Sequence, residues 1–117
     1  IGRQIEAQLR RSGLQPARGF EFSTNQALFA MTAELGGWAI TTALAYFGTP
    51  RAGDLVVAHP LPVAAFSRRL ALHARRGALG DLPHQMAEDI RICLEERILQ
   101  TAAARLPFLR DGFQILH

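Results

Sequence analysis

Residues 20–42, FEFSTNQALFAMTAELGGWAITT, contain the strongest structural signals in this sequence. Phe20 and Phe22 alternate with a polar residue as in a short strand, and three good helix N-cap residues follow them. Apolar residues then recur at helical spacing over residues 27–35, and two glycines end the predicted helix. Residues 38–44 form a continuous apolar and β-branched run, which predicts a strand buried on both faces.

Further elements are predicted on both sides of this stretch. Residues 1–11 have the spacing of an amphipathic helix, and residues 45–47 that of a short helical turn. Strands are predicted for residues 55–58 and 66–74, and a long helix begins after Asp81, its expected N-cap. The inner face predicted for that helix consists of Leu82, Met86, Ile90, Cys93, Leu94, Arg97 and Ile98. Helices that alternate with strands predict an α/β fold with a mainly parallel sheet.

Composition places the chain among single globular domains. It has 117 residues, of which 49% are hydrophobic and 20% charged, as is typical of soluble proteins. The longest uncharged stretch, residues 35–50, contains three glycines and is too short to span a bilayer. All 13 cations are arginine, and the net charge of +3 suits an anionic ligand while giving little support for nucleic-acid binding.

The motifs of several kinds of catalytic and metal site are missing. The sequence has no glycine-rich phosphate loop, no His-Glu-x-x-His, no Cys-x-x-Cys and no nucleophile elbow. Its histidines are scattered (His59, His73, His84 and His117). Cys93 is expected to be a packed thiol on the apolar side of the last helix. We therefore expect no enzyme activity, no metal and no cofactor.

Hydroxyl and amide side chains gather where the predicted ligand site lies. Ser23, Thr24 and Asn25 stand at a predicted helix N-terminus, where free backbone N–H groups and the helix dipole favour an anion. Thr41 and Thr42 end the next predicted strand and should open on the same edge of the sheet. A small carboxylate is the expected ligand. The alternative is that the first three residues only cap the helix and the two threonines only reflect β-propensity.

Three arginine pairs have two possible explanations. Arg10-Arg11, Arg68-Arg69 and Arg75-Arg76 could contact phosphates, or they could belong to a solvated face close to Glu and Asp side chains. The second explanation is the commoner one for such pairs. The sequence alone leaves both open.

The order of these elements resembles that of a known family. Residues 20–25 and 28–41 are similar to the strand, ligand-facing helix, glycine turn and buried strand of LysR-type transcriptional regulators. Residues 61–70 and 74–83 are similar to the later strand and the start of the final helix in the same effector-binding domain. The resemblance extends to about residue 99, and its specificity lies in the order and spacing of the segments.

This resemblance implies a fold and a site. The fold would be a periplasmic-binding-protein-like (type 2) lobe, a three-layer α/β/α arrangement around a mainly parallel sheet. Residues 1–99 would be the second lobe with a returning strand and helix, and residues 100–117 a C-terminal tail. Thr24 would point into an interlobe cleft that holds a carboxylate-bearing effector. Phe22 and Trp38 would be apolar neighbours of the cleft, although Trp38 is expected mainly in the core.

The family resemblance also implies partners. Its members are bacterial, cytoplasmic regulators that form homo-oligomers, do not enter membranes and bind DNA through an N-terminal winged helix-turn-helix, which this sequence lacks. The chain is therefore expected to be a fragment whose apolar row of Met86, Ile90 and Leu94 is exposed. Three alternatives remain open: a solute-binding module, an enzyme on an α/β sheet, and an oligomerisation module.

Overall fold

The computed structural model describes residues 2–17, 19–63 and 67–116. The chain divides into two compact units, Ile1–Ala64 and Ala65–His117. The helices of the first unit are α1 (Gly2–Arg11), α2 (Asn25–Leu35), α3 (Ala43–Gly48) and α4 (Ala52–Leu55). In the second unit α5 (Leu82–Cys93) continues through a π-helical stretch (Leu94–Leu99) into α6 (Gln100–Arg105), and a 3-10 turn (Pro107–Leu109) follows.

The predicted α/β fold is wrong, because no described residue belongs to a strand. Of the segments predicted as strands, residues 20–22 are non-helical, residues 38–44 are non-helical only up to residue 42, and residues 55–58 begin with the last residue of α4. Residues 67–74 of the fourth segment are non-helical, and its Phe66 lies outside the described residues. No backbone hydrogen bond joins these segments to one another in the described chain. A strand needs a non-local partner for its backbone groups, and no spacing rule along one segment supplies that partner. The periplasmic-binding-protein-like lobe and its parallel sheet are therefore not formed.

The helices of the first unit begin and end where capping residues stand. Thr24 and Thr42 are the N-caps of α2 and α3, each in an extended backbone conformation. Gly36 ends α2 with a φ of 64°, a left-handed conformation that favours glycine, and its N–H bonds to the carbonyl of Thr32. The predicted helix over residues 27–35 is thus confirmed. The predicted turn at 45–47 is part of α3, which begins two residues earlier.

The core of the first unit is small and aromatic. Phe29 on α2 is 2% exposed, and Ala52 on α4 is 1% exposed. The rings of Phe29 and Tyr46 meet edge to face with their centres 6.1 Å apart, a favourable geometry for an aromatic pair. The Tyr46 hydroxyl donates a hydrogen bond to the Val56 carbonyl at 3.4 Å. Tyr46 thereby connects α2, α3 and the residue that follows α4.

The long helix of the second unit starts as predicted, and it continues past residue 99. Asp81 is at the N-cap position, although its side chain makes no capping hydrogen bond, and Pro83 lies in the first turn. Six π-helical residues, Leu94–Leu99, link α5 to α6, so the helical backbone runs on to Arg105.

The predicted inner face of this helix is largely wrong. Ile98 is buried and Leu94 half-buried, but the other five predicted residues are exposed. The buried side is completed by Ala102, which is 2% exposed. Periodicity identifies a broad apolar arc, but it does not say which half of that arc packs. The π-helical turns also change the angle between successive residues, so a 3.6-residue pattern is lost across residues 94–99.

The apolar row of this helix and its cysteine differ from each other in how well their predicted exposure agrees with the structure. Met86 and Ile90 are 45% and 44% exposed, as expected for an unpaired apolar row, whereas Leu94 is only half-buried. Cys93 was expected in the core and is exposed instead, so that prediction is wrong. In the described part of the chain, no helix combines the length and apolar character that a membrane span requires.

Candidate functional site

The predicted ligand residues Ser23, Thr24 and Asn25 lie together at the start of α2, and all three are exposed. The Thr24 Oγ1 accepts a hydrogen bond from the Ala27 N–H at 3.2 Å. This contact satisfies the third amide of the helix and holds the hydroxyl over the helix end. The hydroxyl proton of Thr24 remains free to donate to a ligand, because the oxygen acts only as an acceptor in the capping bond.

Two backbone amides complete this helix end. The N–H groups of Asn25 and Gln26 have no acceptor among the described residues, because the first turn of a helix has no preceding carbonyls to bond. The first turn of α2 also contains no acidic side chain that would compete for these donors. Gln26 is not among the ligand residues predicted from the sequence. Its place in the first turn after a Thr N-cap was the signal that could have identified it.

Thr41 and Thr42 do not join this group through any described contact. Thr41 is exposed in an irregular segment, and Thr42 is half-buried. The Thr42 Oγ1 accepts a hydrogen bond from the Ala45 N–H at 3.2 Å, so it caps α3. The expected shared sheet edge requires a parallel sheet, which is not formed. Thr42 therefore has a local explanation as a helix cap.

The aromatic neighbours expected near the site differ in exposure. Phe22 is half-buried one residue before Ser23, and Phe20 is 60% exposed. Trp38 is 63% exposed, so its expected place in the core is wrong. Phe20 precedes α2 and Trp38 follows it, so each end of this helix has an exposed aromatic side chain nearby in the sequence.

One open depression is found elsewhere in the first unit. Its volume is about 530 Å³, and it is lined by Gly2, Arg3, Gln4, Glu6 and Glu21. It contains none of the predicted ligand residues, and its charges are mixed. Over residues 2–17, 19–63 and 67–116, no three His, Cys, Asp or Glu side chains are grouped so as to hold a metal ion.

Comparisons with known proteins provide no assignment of site residues for this chain. No protein-family model, curated protein or solved structure matches the chain.

Proposed function

We propose that this chain is the effector-sensing portion of a bacterial, cytoplasmic LysR-type transcriptional regulator, and that its effector carries a carboxylate. The proposal is supported by the similarity, in order and spacing, of residues 20–25, 28–41, 61–70 and 74–83 to that family. Residues 25–35 supply a helix where the family has its ligand-facing helix.

The observation that carries the proposal is the position of Thr24. The hydroxyl that the resemblance places against the effector caps α2 and is exposed. It lies beside two amides that have no acceptor within the described ranges of the chain. A carboxylate can accept hydrogen bonds from these amides and from the Thr24 and Ser23 hydroxyls. The positive end of the α2 dipole adds an attraction of up to about 1 kcal/mol at an exposed helix end.

In this proposal regulation is a shift between conformations. An effector bound at the start of α2 stabilises the conformation in which Thr24, Asn25 and Gln26 face it together. The conformation favoured in this way alters how the assembled regulator holds its DNA-binding segments. DNA recognition itself belongs to a winged helix-turn-helix outside this sequence.

Thr24→Ala should weaken carboxylate binding about tenfold, since one charge-assisted hydrogen bond contributes on the order of 1.5 kcal/mol or more. Thr24→Ser keeps the hydroxyl and should bind within about threefold of the parent. Titrations of acetate, succinate and benzoate followed by amide NMR shifts of residues 23–27 would measure these affinities.

Thr42→Ala is the matched control, because it removes the equivalent cap from α3. It should leave carboxylate affinity unchanged. Equal losses in the Thr24 and Thr42 variants would show that the effect is one of helix stability alone. The reading frame upstream of Ile1 gives an independent test: a winged helix-turn-helix there supports the regulator, whereas a secretory signal favours the solute-binding alternative.

A second candidate function is self-association through α5. Leu82, Met86 and Ile90 follow one another at four-residue spacing, and each is 44–46% exposed. Residues at this spacing share one face of a helix and form an apolar seam against which a second helix can pack. A second copy of the chain supplies an identical seam.

Met86→Glu should abolish dimer formation if this seam pairs, because a carboxylate would be desolvated at its centre. Ile92→Glu is the control, since Ile92 is 43% exposed on a different side of α5. Sedimentation equilibrium over a range of protein concentrations distinguishes the two. A parent chain that stays monomeric at every concentration would remove this candidate.

A further inference from the structure

Residues 67–76, SRRLALHARR, form the most positively charged part of the chain and are called the arginine segment here. It contains four arginines and no acidic residue, and the nearest acidic residues in sequence are Asp54 and Asp81. Every residue of the segment is exposed, and none is in a helix or strand. The four charges are therefore presented to solvent over a short length of chain.

Three arginines elsewhere in the chain have ion-pair partners among the described residues, and the four arginines of the segment do not. Arg10 pairs with Glu6 at 3.7 Å, Arg51 pairs with Asp54 at 3.0 Å, and Arg91 pairs with Glu88. By contrast, no side chain of the arginine segment makes an ion pair or hydrogen bond to a described residue. The explanation of such pairs as a face neutralised by Glu and Asp therefore does not hold for this segment.

The spacing of the charges indicates an extended anion. Arg68-Arg69 and Arg75-Arg76 are seven residues apart, which is at most about 25 Å in an extended chain. An anion of comparable length can contact both pairs at any separation within this limit. A nucleic-acid duplex carries one negative charge about every 1.7 Å along its axis and can contact both pairs at once.

We propose that the arginine segment binds the phosphodiester backbone of a nucleic acid without reading its bases. Guanidinium groups donate two parallel hydrogen bonds to phosphate oxygens, and phosphate contacts position a protein without specifying sequence. Released counterions supply much of the favourable free energy. This interaction does not depend on the effector site at α2.

A membrane surface is the less suitable partner for this segment. Interfacial binding uses a helix with a continuous apolar face, commonly with aromatic residues. The arginine segment is not helical and has no aromatic residue, and only Leu70 and Leu72 contribute large apolar surface. Four arginines without a continuous apolar face favour a polyanion in water.

The experiment measures fluorescence anisotropy of a labelled duplex of about 20 base pairs, in salt from about 50 to 200 mM. Arg68→Gln/Arg69→Gln and Arg75→Gln/Arg76→Gln should each weaken binding about tenfold at the lower salt. Each should also reduce the slope of log K against log salt by about 2, since each lost phosphate contact removes about 0.9. Arg10→Gln/Arg11→Gln makes the same change in charge and should weaken binding at most about threefold, because Arg10 already pairs with Glu6.

Three results would overturn the inference. Equal losses in all three double variants would show that net charge alone drives binding. Binding to phosphatidylserine vesicles but not to the duplex would assign the segment to lipid, and no binding at the lowest salt would leave the segment without this role. Thr24→Ala should bind the duplex like the parent, so failure here is distinguishable from failure of the effector proposal. Far-UV circular dichroism should be the same for every variant, because the replaced side chains are exposed.

Discussion

Phe29→Ala should destabilise the first unit by about 3–5 kcal/mol, the range for removing a buried phenylalanine. Phe29 is the largest fully buried side chain described, at 2% exposed, and its ring packs edge to face on Tyr46. Its loss leaves a cavity between α2 and the elements that Tyr46 connects. Native domains are stable by only about 5–15 kcal/mol, so a unit with so few buried side chains should be largely unfolded by this change.

Urea unfolding followed by circular dichroism and amide exchange of α2 would measure this effect. Phe20→Ala is the matched control, since Phe20 is 60% exposed and outside any helix. It should change stability by less than about 0.5 kcal/mol. A similar small effect for Phe29→Ala would mean that α2 does not pack as described, and the geometry proposed at Thr24 would lose its support.

Ile98→Ala should destabilise the second unit by about 2–5 kcal/mol, the range for a buried isoleucine replaced by alanine. Ile98 is 8% exposed in the π-helical stretch, one turn before the buried Ala102. Because π-helical turns are uncommon and depend on the packing around them, the Leu94–Leu99 stretch should respond strongly to a missing side chain. The expected result is faster amide exchange throughout residues 94–105.

Ile92→Ala makes the same chemical change at a residue that is 43% exposed. Its effect should be under about 1 kcal/mol, because nearly half of that residue is already exposed to water. Equal effects at the two isoleucines would contradict the assignment of Ile98 to the buried side. The comparison thus tests which half of the broad apolar arc of this helix packs.

Several helix positions and helix caps could be predicted from the sequence. The helix at α2 and the start of α5 follow from apolar spacing, and Thr24 and Gly36 follow from the chemistry of helix ends. α4 was missed, since its four residues are too few to show a period. Capping depends on a residue and its next three or four neighbours, so a single stretch of sequence contains the needed information.

The predicted strands were wrong for a different reason from the one that hid α4. The residues of 38–44 have strand-like composition, but Thr42 bonds to the Ala45 amide and begins α3 within that run. β-propensity is a weak preference that depends on contacts with neighbouring strands. Here the Thr42 cap favours a helix over the extended conformation for the last residues of this run. The predicted meeting of Thr24 with Thr41 and Thr42 depended entirely on that absent sheet.

The sequence by itself determined the bounds of α2, its caps Thr24 and Gly36, the start of α5, and where arginines cluster without acids. Each of these follows from residues within one turn or one short run of chain. Only the tertiary structure decided that Phe29 is buried while Trp38 and Cys93 are exposed, and that the arginine segment finds no ion-pair partner among the described residues. Burial and pairing depend on which distant residues come close, and spacing along the chain does not contain that information.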